Sequence, residues 1–194
     1  DFVPHREIET ITAKSEVEAP GIHPPPEADD LSEQHAGPVH LVWAARWEHD
    51  KNPDDLLRVL RALQQCQIEF QISIIGQTFR QQPPAFDKIR REFQDQILHW
   101  GFQSCRKSYW HVLEQADLFL STASHEFYGL SVMEGLAAGL VTVLPNRLAY
   151  PEIAQRLAKS SAEVVLYDDL DQCAQQISSC SERLTEIRAG RGTR

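Results

Sequence analysis

From Val39 onward, short apolar runs alternate with segments whose apolar residues recur at helical spacing. VHLVWAA (39–45), FQISIIG (70–76), ILHWG (97–101), DLFLSTA (117–123), LVTVLP (140–145) and EVVLY (163–167) are apolar along most of their length. Such runs suit strands covered on both faces. Between the first two lie Leu56, Leu57, Val59, Leu60 and Leu63, spaced for one face of a helix. Asn52 is placed to cap that helix, Pro53 suits its first turn, and Asp54 and Asp55 favour its positive end. Further helices are expected over residues 84–93, 108–116 and 129–138, with one long amphipathic helix over 170–188.

Alternation of this kind predicts an α/β domain, a Rossmann-like doubly wound parallel sheet. Ligands of such sheets lie beyond the carboxyl ends of the strands, near the point where strand order reverses. No GxGxxG follows the first run, which disfavours a dinucleotide bound in the usual way. Residues 1–38 differ. They carry the Pro-rich patch APGIHPPPEADD and read as a linker, with a short strand expected at 8–13 or 16–19. Residues 39–194 then form the ligand-binding domain.

Composition narrows the function classes. The chain of 194 residues carries a formal charge of -9, a poor balance for non-specific nucleic-acid binding. Cys66, Cys105, Cys173 and Cys180 form no CxxC pair, so neither a metal site nor a disulfide framework is expected, and the setting reads as reducing and cytoplasmic. No apolar run reaches the roughly 18 residues of a membrane span. The chain opens without Met or a signal-peptide pattern and reads as a piece of something longer.

Candidate chemistry sits just after the strands. Arg46, His49 and Lys51 follow the first and precede a capped helix, an arrangement suited to an anion; a solvated charged loop is the bland alternative. Arg supplies a planar fork and Lys a point charge, a mixture that fits a diphosphate. Gly76-Gln77-Thr78 follows the second strand and fits a close backbone approach or a simple tight turn. Tyr109 or Phe102 is a candidate to border a base, while Trp43, Trp47 and Trp100 read as core. After the fourth strand, in STASHEFYGLSVMEG, Glu126 lies in a loop, Gly129 and Leu130 open a helix, and Glu134 falls one turn into it. Carboxylates accept bonds from sugar hydroxyls, so two of them around a helix start suit sugar rings flanking a diphosphate. A metal between them is disfavoured because no third ligand stands at suitable spacing. His49 either assists the phosphate or caps its loop, Asp50 reads as a cap, and His125 as a structural neighbour.

Arg46 and Lys51 after a strand, followed by E-x7-E (Glu126, Glu134) at a strand-to-helix junction, resemble the C-terminal half of retaining GT4-type glycosyltransferases of the GT-B fold. The segments HLVWAARWEHDKNPDDLLRVL, SIIGQTF, ILHWGF, LSTASHEFYGLSVMEGLAAG and YPEI are similar to those of the tRNA-queuosine mannosyltransferases. The resemblance implies that Arg46 and Lys51 hold the donor diphosphate, Glu126 contacts the transferred sugar, and Glu134 binds the ribose. Backbone N–H groups around Tyr128, Gly129 and Leu130 would face the phosphate. It further implies mannose transfer from GDP-mannose to queuosine in tRNA, with anomeric retention, no metal and no separate cofactor. The acceptor domain of such enzymes is N-terminal. The chain is accordingly expected to be a donor-binding half with little or no transfer activity alone, meeting tRNA only through the other half. Open alternatives are a GT-B transferase with another nucleotide-sugar and a lipid, polysaccharide or small-molecule acceptor, a non-catalytic nucleotide-sugar-binding or interaction module, and a hydrolase using the two glutamates.

Overall fold

The computed structural model describes residues 4–16, 18–23 and 37–191. Six strands, β1 (Val39–Ala44), β2 (Phe70–Ile75), β3 (Ile97–Gly101), β4 (Leu118–Leu120), β5 (Val141–Pro145) and β6 (Val164–Tyr167), form one sheet in the order β3-β2-β1-β4-β5-β6. All five pairings are parallel. The chain winds outward from β1 to β3, then returns to lay β4 on the other side of β1. The switch point therefore lies between β1 and β4, the doubly wound topology expected from the sequence.

Helices cover both faces. On one, α2 (Pro53–Gln65), α3 (Ala85–Glu92), α7 (Leu170–Glu182) and α8 (Leu184–Arg191) pack Leu56, Leu60, Phe86, Ile177 and Ile187 against Leu41, Trp43 and Ile72. On the other, α4 (Arg106–Gln115), α5 (Leu130–Ala137) and α6 (Tyr150–Leu157) pack Trp110, Val132 and Ile153 against Val42, Phe119 and Leu144. Every residue of β1 and β5 is buried, the reason these runs are apolar without alternation.

Several expectations need correction. The segment ahead of the domain carries a helix, α1 (His5–Thr12), where a strand was expected at 8–13. Ile8 and Ile11 stand three apart, a helical spacing, and neither is buried. Residues 16 and 18–19 form no strand, and Val17 lies outside the described residues. Asn52 stands at the start of α2 but in a left-handed conformation (φ 53°) with no side-chain cap; its amide donates to Asp55 at 2.5 Å instead. β4 is shorter than 117–123: the Asp117 side chain accepts the His40 N–H, and the chain beyond Ser121 leaves the ladder for the loop after β1. The expected helix over 170–188 breaks at Arg183, and the restart as α8 carries the Arg188 guanidinium to both oxygens of the buried Asp117 (2.9 and 2.8 Å).

The seat of α5 decides where its glutamate stands. Gly135 lies so close to β4 that a Cβ there would meet Phe119 Cδ2 at 2.6 Å. Phe119 is itself 1% exposed and has no free space to move into. Gly135→Ala is expected to destabilise the chain by about 1–3 kcal/mol through overpacking. Urea unfolding checks this, and an unchanged midpoint would show that α5 does not rest on Phe119 through Gly135.

Candidate functional site

The loops after β1 and β4 meet across the switch point and are tied through backbone. The Asp50 carbonyl accepts the N–H groups of Ser124 (2.9 Å) and His125 (3.1 Å) and the Ser124 hydroxyl (3.0 Å). The Lys51 carbonyl accepts the Thr122 hydroxyl at 2.9 Å, and Thr122 Oγ1 accepts the indole N–H of the buried Trp43 at 3.0 Å. A one-turn 3-10 helix (His49–Lys51) sets the curvature of the first loop. Gly76, at the end of β2, has φ 138°, and a Cβ there would lie 1.8 Å from the Ala45 carbonyl oxygen. Only glycine lets the two strand ends come this close.

These ties bring together side chains far apart in sequence. Lys51 Nζ donates to Glu126 Oε2 at 3.1 Å and to the His125 carbonyl at 2.9 Å, and stands 3.3 Å from Asp50 Oδ2. The other Glu126 oxygen accepts the N–H groups of Phe127 (3.0 Å) and Gly129 (3.1 Å). Glu126 is thus held from both sides, and the Lys51–Glu126 pair is largely buried, with 11% and 19% of the side chains exposed. Arg46 is 55% exposed and pairs with Glu48 at 2.8 Å.

A cavity of about 590 Å³ opens over this junction, within the range of small-molecule sites. Arg46 and Lys51 line it from the loop after β1, Gly76 from just beyond β2, Tyr109 from α4, residues 126–129 from the loop after β4, and Leu130, Ser131 and Glu134 from α5. Gly129 holds a left-handed conformation (φ 83°) at the start of α5. First-turn N–H groups of a helix, here those of Leu130 and Ser131, have no intrahelical acceptor and favour an anion. Tyr109 Oη donates to Glu134 Oε2 at 2.7 Å.

One cavity therefore gathers Arg46, Lys51, Glu126, Tyr128, Gly129, Leu130 and Glu134. His49 is exposed and does not line it; neither do Gln77, Thr78 or the exposed Phe102. His125 stands outside it too, its ring edge-on to Phe127 at 5.0 Å. Trp43 and Trp47 are core, and Trp100 packs edge-on against Trp47 at 4.8 Å. Asp50 contributes through its carbonyl rather than as a side-chain cap. Sequence reasoning missed three features. Glu48 competes for Arg46, readable only as an acid two positions on; Ser131 was passed over between the two glutamates; and Tyr150, from α6, bonds Ser121 Oγ at 2.8 Å with no local signal at all.

Residues 29–180 match the family described as Glycosyl transferases group 1. The chain is 36% identical over 126 residues to the tRNA-queuosine alpha-mannosyltransferase of Drosophila melanogaster, a match covering 65% of this chain and 32% of that protein. It is 26% identical over 147 residues to the GDP-mannose-dependent alpha-(1-6)-phosphatidylinositol dimannoside mannosyltransferase of Mycobacterium tuberculosis, covering 74% of this chain and 37% of that one. The chain thus spans about a third of the length of these relatives. Among solved structures it is similar to WaaG, a glycosyltransferase involved in lipopolysaccharide biosynthesis, with a TM-score of 0.61 at 15% identity, over 99% of this chain and 46% of that one. That likeness is one of fold: this chain has the architecture of half a GT-B structure.

Burial raises the phenol pKa of Tyr109, with the charge of Glu134 and the hydrogen bond to it adding to the rise. Burial also raises those of Tyr150 and Tyr167; at Tyr150 the Ser121 bond works against the rise and Glu126 with it. The folded chain thus holds these protons more tightly than the unfolded one. The stability this contributes is full below the unfolded value of about 10 and is lost as pH rises above it. Tyrosinate absorbance followed from neutral pH to about 11 is expected to show Tyr109, Tyr150 and Tyr167 protonated until the chain unfolds. Ionisation of more than one of the four tyrosines while near-UV circular dichroism stays native would contradict their burial.

Proposed function

This chain belongs to the family of glycosyl transferases group 1, and we propose that it is the donor-binding half of a retaining mannosyltransferase that uses GDP-mannose and serves mannose transfer to queuosine in tRNA. The observation that carries the reading is the cavity at the switch point, where two cations, a helix start and two carboxylates line one space. In it, Lys51 and Arg46 neutralise the charge developing on the leaving diphosphate, and the first-turn N–H groups of α5 add fixed dipoles aimed at the same oxygens. Glu126 accepts hydroxyls of the transferred mannose and Glu134 those of the ribose. The side chains and N–H groups meet the diphosphate charge without a metal or a separate cofactor.

The ligand-free arrangement bears on how the donor enters. The Glu126 carboxylate lies on Lys51 and on the Gly129 N–H, groups a phosphate would also seek. In this reading the diphosphate takes over both, and Glu126 turns toward the sugar. Mannose is supported by the names of both relatives, and GDP-mannose by that of the mycobacterial one. Queuosine in tRNA is supported by the name of the Drosophila protein. The mycobacterial name favours a second reading with the same donor and a phosphatidylinositol-linked acceptor. Both readings leave acceptor binding to the N-terminal half, so this chain binds donor but transfers little. A tRNA acceptor goes with a cytoplasmic setting, and among the described residues no helix is long and apolar enough to cross a membrane.

Calorimetric titration of the chain with GDP, GDP-mannose, UDP and UDP-glucose tests the donor. Binding of the guanine ligands is expected. A clear preference for UDP would overturn the mannosyl-queuosine reading, and binding of none of the four would favour an interaction module. Arg46→Ala is expected to weaken GDP binding more than guanosine binding, and equal losses would remove the diphosphate contact. Glu134→Ala is expected to weaken GDP by about tenfold or more, the worth of bonds to a charged acceptor, and an unchanged affinity would remove the ribose role.

A further inference from the structure

We propose that Tyr109 is the positioning residue for Glu134 and thereby sets the cavity's preference for a nucleoside diphosphate with an intact ribose diol. The proposal deepens the ribose reading of Glu134 and rests on it. Tyr109 and Glu134 are 25 positions apart, on different helices, and both line the cavity. Their one direct link is the 2.7 Å bond from the phenol to Glu134 Oε2.

A glutamate on a helix has three side-chain torsions and substantial rotamer freedom to lose on binding. Glu134 is only half-buried, and among the described residues no other group donates to it. Packing alone therefore does not fix its carboxylate. Tyr109 does. Its ring leaves α4 next to the buried Trp110, which anchors that helix in the core, and the ring stands edge-on to the indole at 6.4 Å. The start of α4 is fixed in turn by reciprocal bonds between Cys105 and Ser108. The phenol is thus a donor on a rigid element, and it keeps its proton because burial and the Glu134 charge both favour the neutral form.

The consequence follows from carboxylate geometry. An ionised carboxylate has about four acceptor sites, and the phenol takes one. Glu134 Oε1 and the remaining lone pair of Oε2 stay open to a ligand. Two adjacent hydroxyls donate in parallel to two oxygens only when the carboxylate plane is held at the right angle, so orientation matters most to a ligand that offers both. A ligand without the diol gains nothing from that orientation.

The test measures GDP and 2′,3′-dideoxy-GDP by calorimetry against the wild-type chain, Tyr109→Phe, Glu134→Gln and the double variant. Phe keeps the ring and its packing, and circular dichroism melting confirms the fold of each variant. Tyr109→Phe is expected to lose about tenfold in GDP affinity while dideoxy-GDP changes less than about twofold. The double variant is expected to lose no more than Glu134→Gln alone, because the two residues act as one unit. Equal losses on both ligands, no loss on GDP, or additive losses in the double variant would each overturn the proposal. If the wild-type chain binds both ligands equally, the ribose reading of Glu134 itself fails, whatever Tyr109→Phe does.

Discussion

Everything in the cavity depends on two backbone carbonyls. Those of Asp50 and Lys51 accept the loop after β4 through Ser124, His125 and Thr122, and the buried Trp43 indole holds Thr122 in turn. Without these bonds the loops after β1 and β4 would be two exposed segments of a sheet edge. With them, Lys51 and Glu126, 75 positions apart, stand in contact. The topology supplies the reason. The reversal of winding places β1 beside β4, so their C-terminal loops diverge to opposite faces and leave a crevice between them. A crevice is general to the topology. The backbone ties turn this one into a site with fixed side chains.

The electrostatics of that site are those of exchange. Arg46 already has Glu48, and Lys51 has Asp50 and Glu126. In the proposed reading, an incoming diphosphate displaces carboxylates already bound to these cations. For Lys51 and Glu126 the exchange matters most, because separating a largely buried pair without replacement leaves a charge poorly solvated. For the more exposed Arg46–Glu48 pair water screens the loss, and the exchange costs little. Affinity gained this way is modest for a non-matching anion. In the proposed reading, a ligand that also engages α5 gains contacts beyond that exchange.

How far the sequence revealed this follows from the range of each signal. β1, β2, β4 and β5 were legible because burial on both faces makes a short apolar run bounded by turn residues, and the half-buried edge strands β3 and β6 because the same alternation with helices continues through them. Glu126 and Glu134 were legible because one short segment carries the loop, the glycine and the helix start together. α1 leaves a weak signal because its two isoleucines, Ile8 and Ile11, stand at helical spacing but are not buried, so no core face marks the helix. The break at Arg183 was illegible: the partners on either side of it, Glu163 for Arg183 and Asp117 for Arg188, are distant in sequence and only the fold brings them near. The same holds for Tyr109 and Tyr150. Each was visible as an aromatic, yet what each does is set by a partner, Glu134 or Ser121, that only the fold brings near.

The two glutamates also differ in kind from an acid–base pair, and the difference is written in their partners. A general acid must offer a proton to the bond it cleaves. Every group bound to Glu126 (the Lys51 ammonium and the N–H groups of Phe127 and Gly129) is a donor, and so is the phenol on Glu134. Bound only to donors, three on Glu126 and one on Glu134 among the described residues, both carboxylates serve as acceptors, and acceptors are what sugar hydroxyls need. The pair stands across the start of α5, one carboxylate before the helix and one a turn inside it. In the proposed reading, hydroxyls of the donor meet the two carboxylates and its diphosphate lies between them.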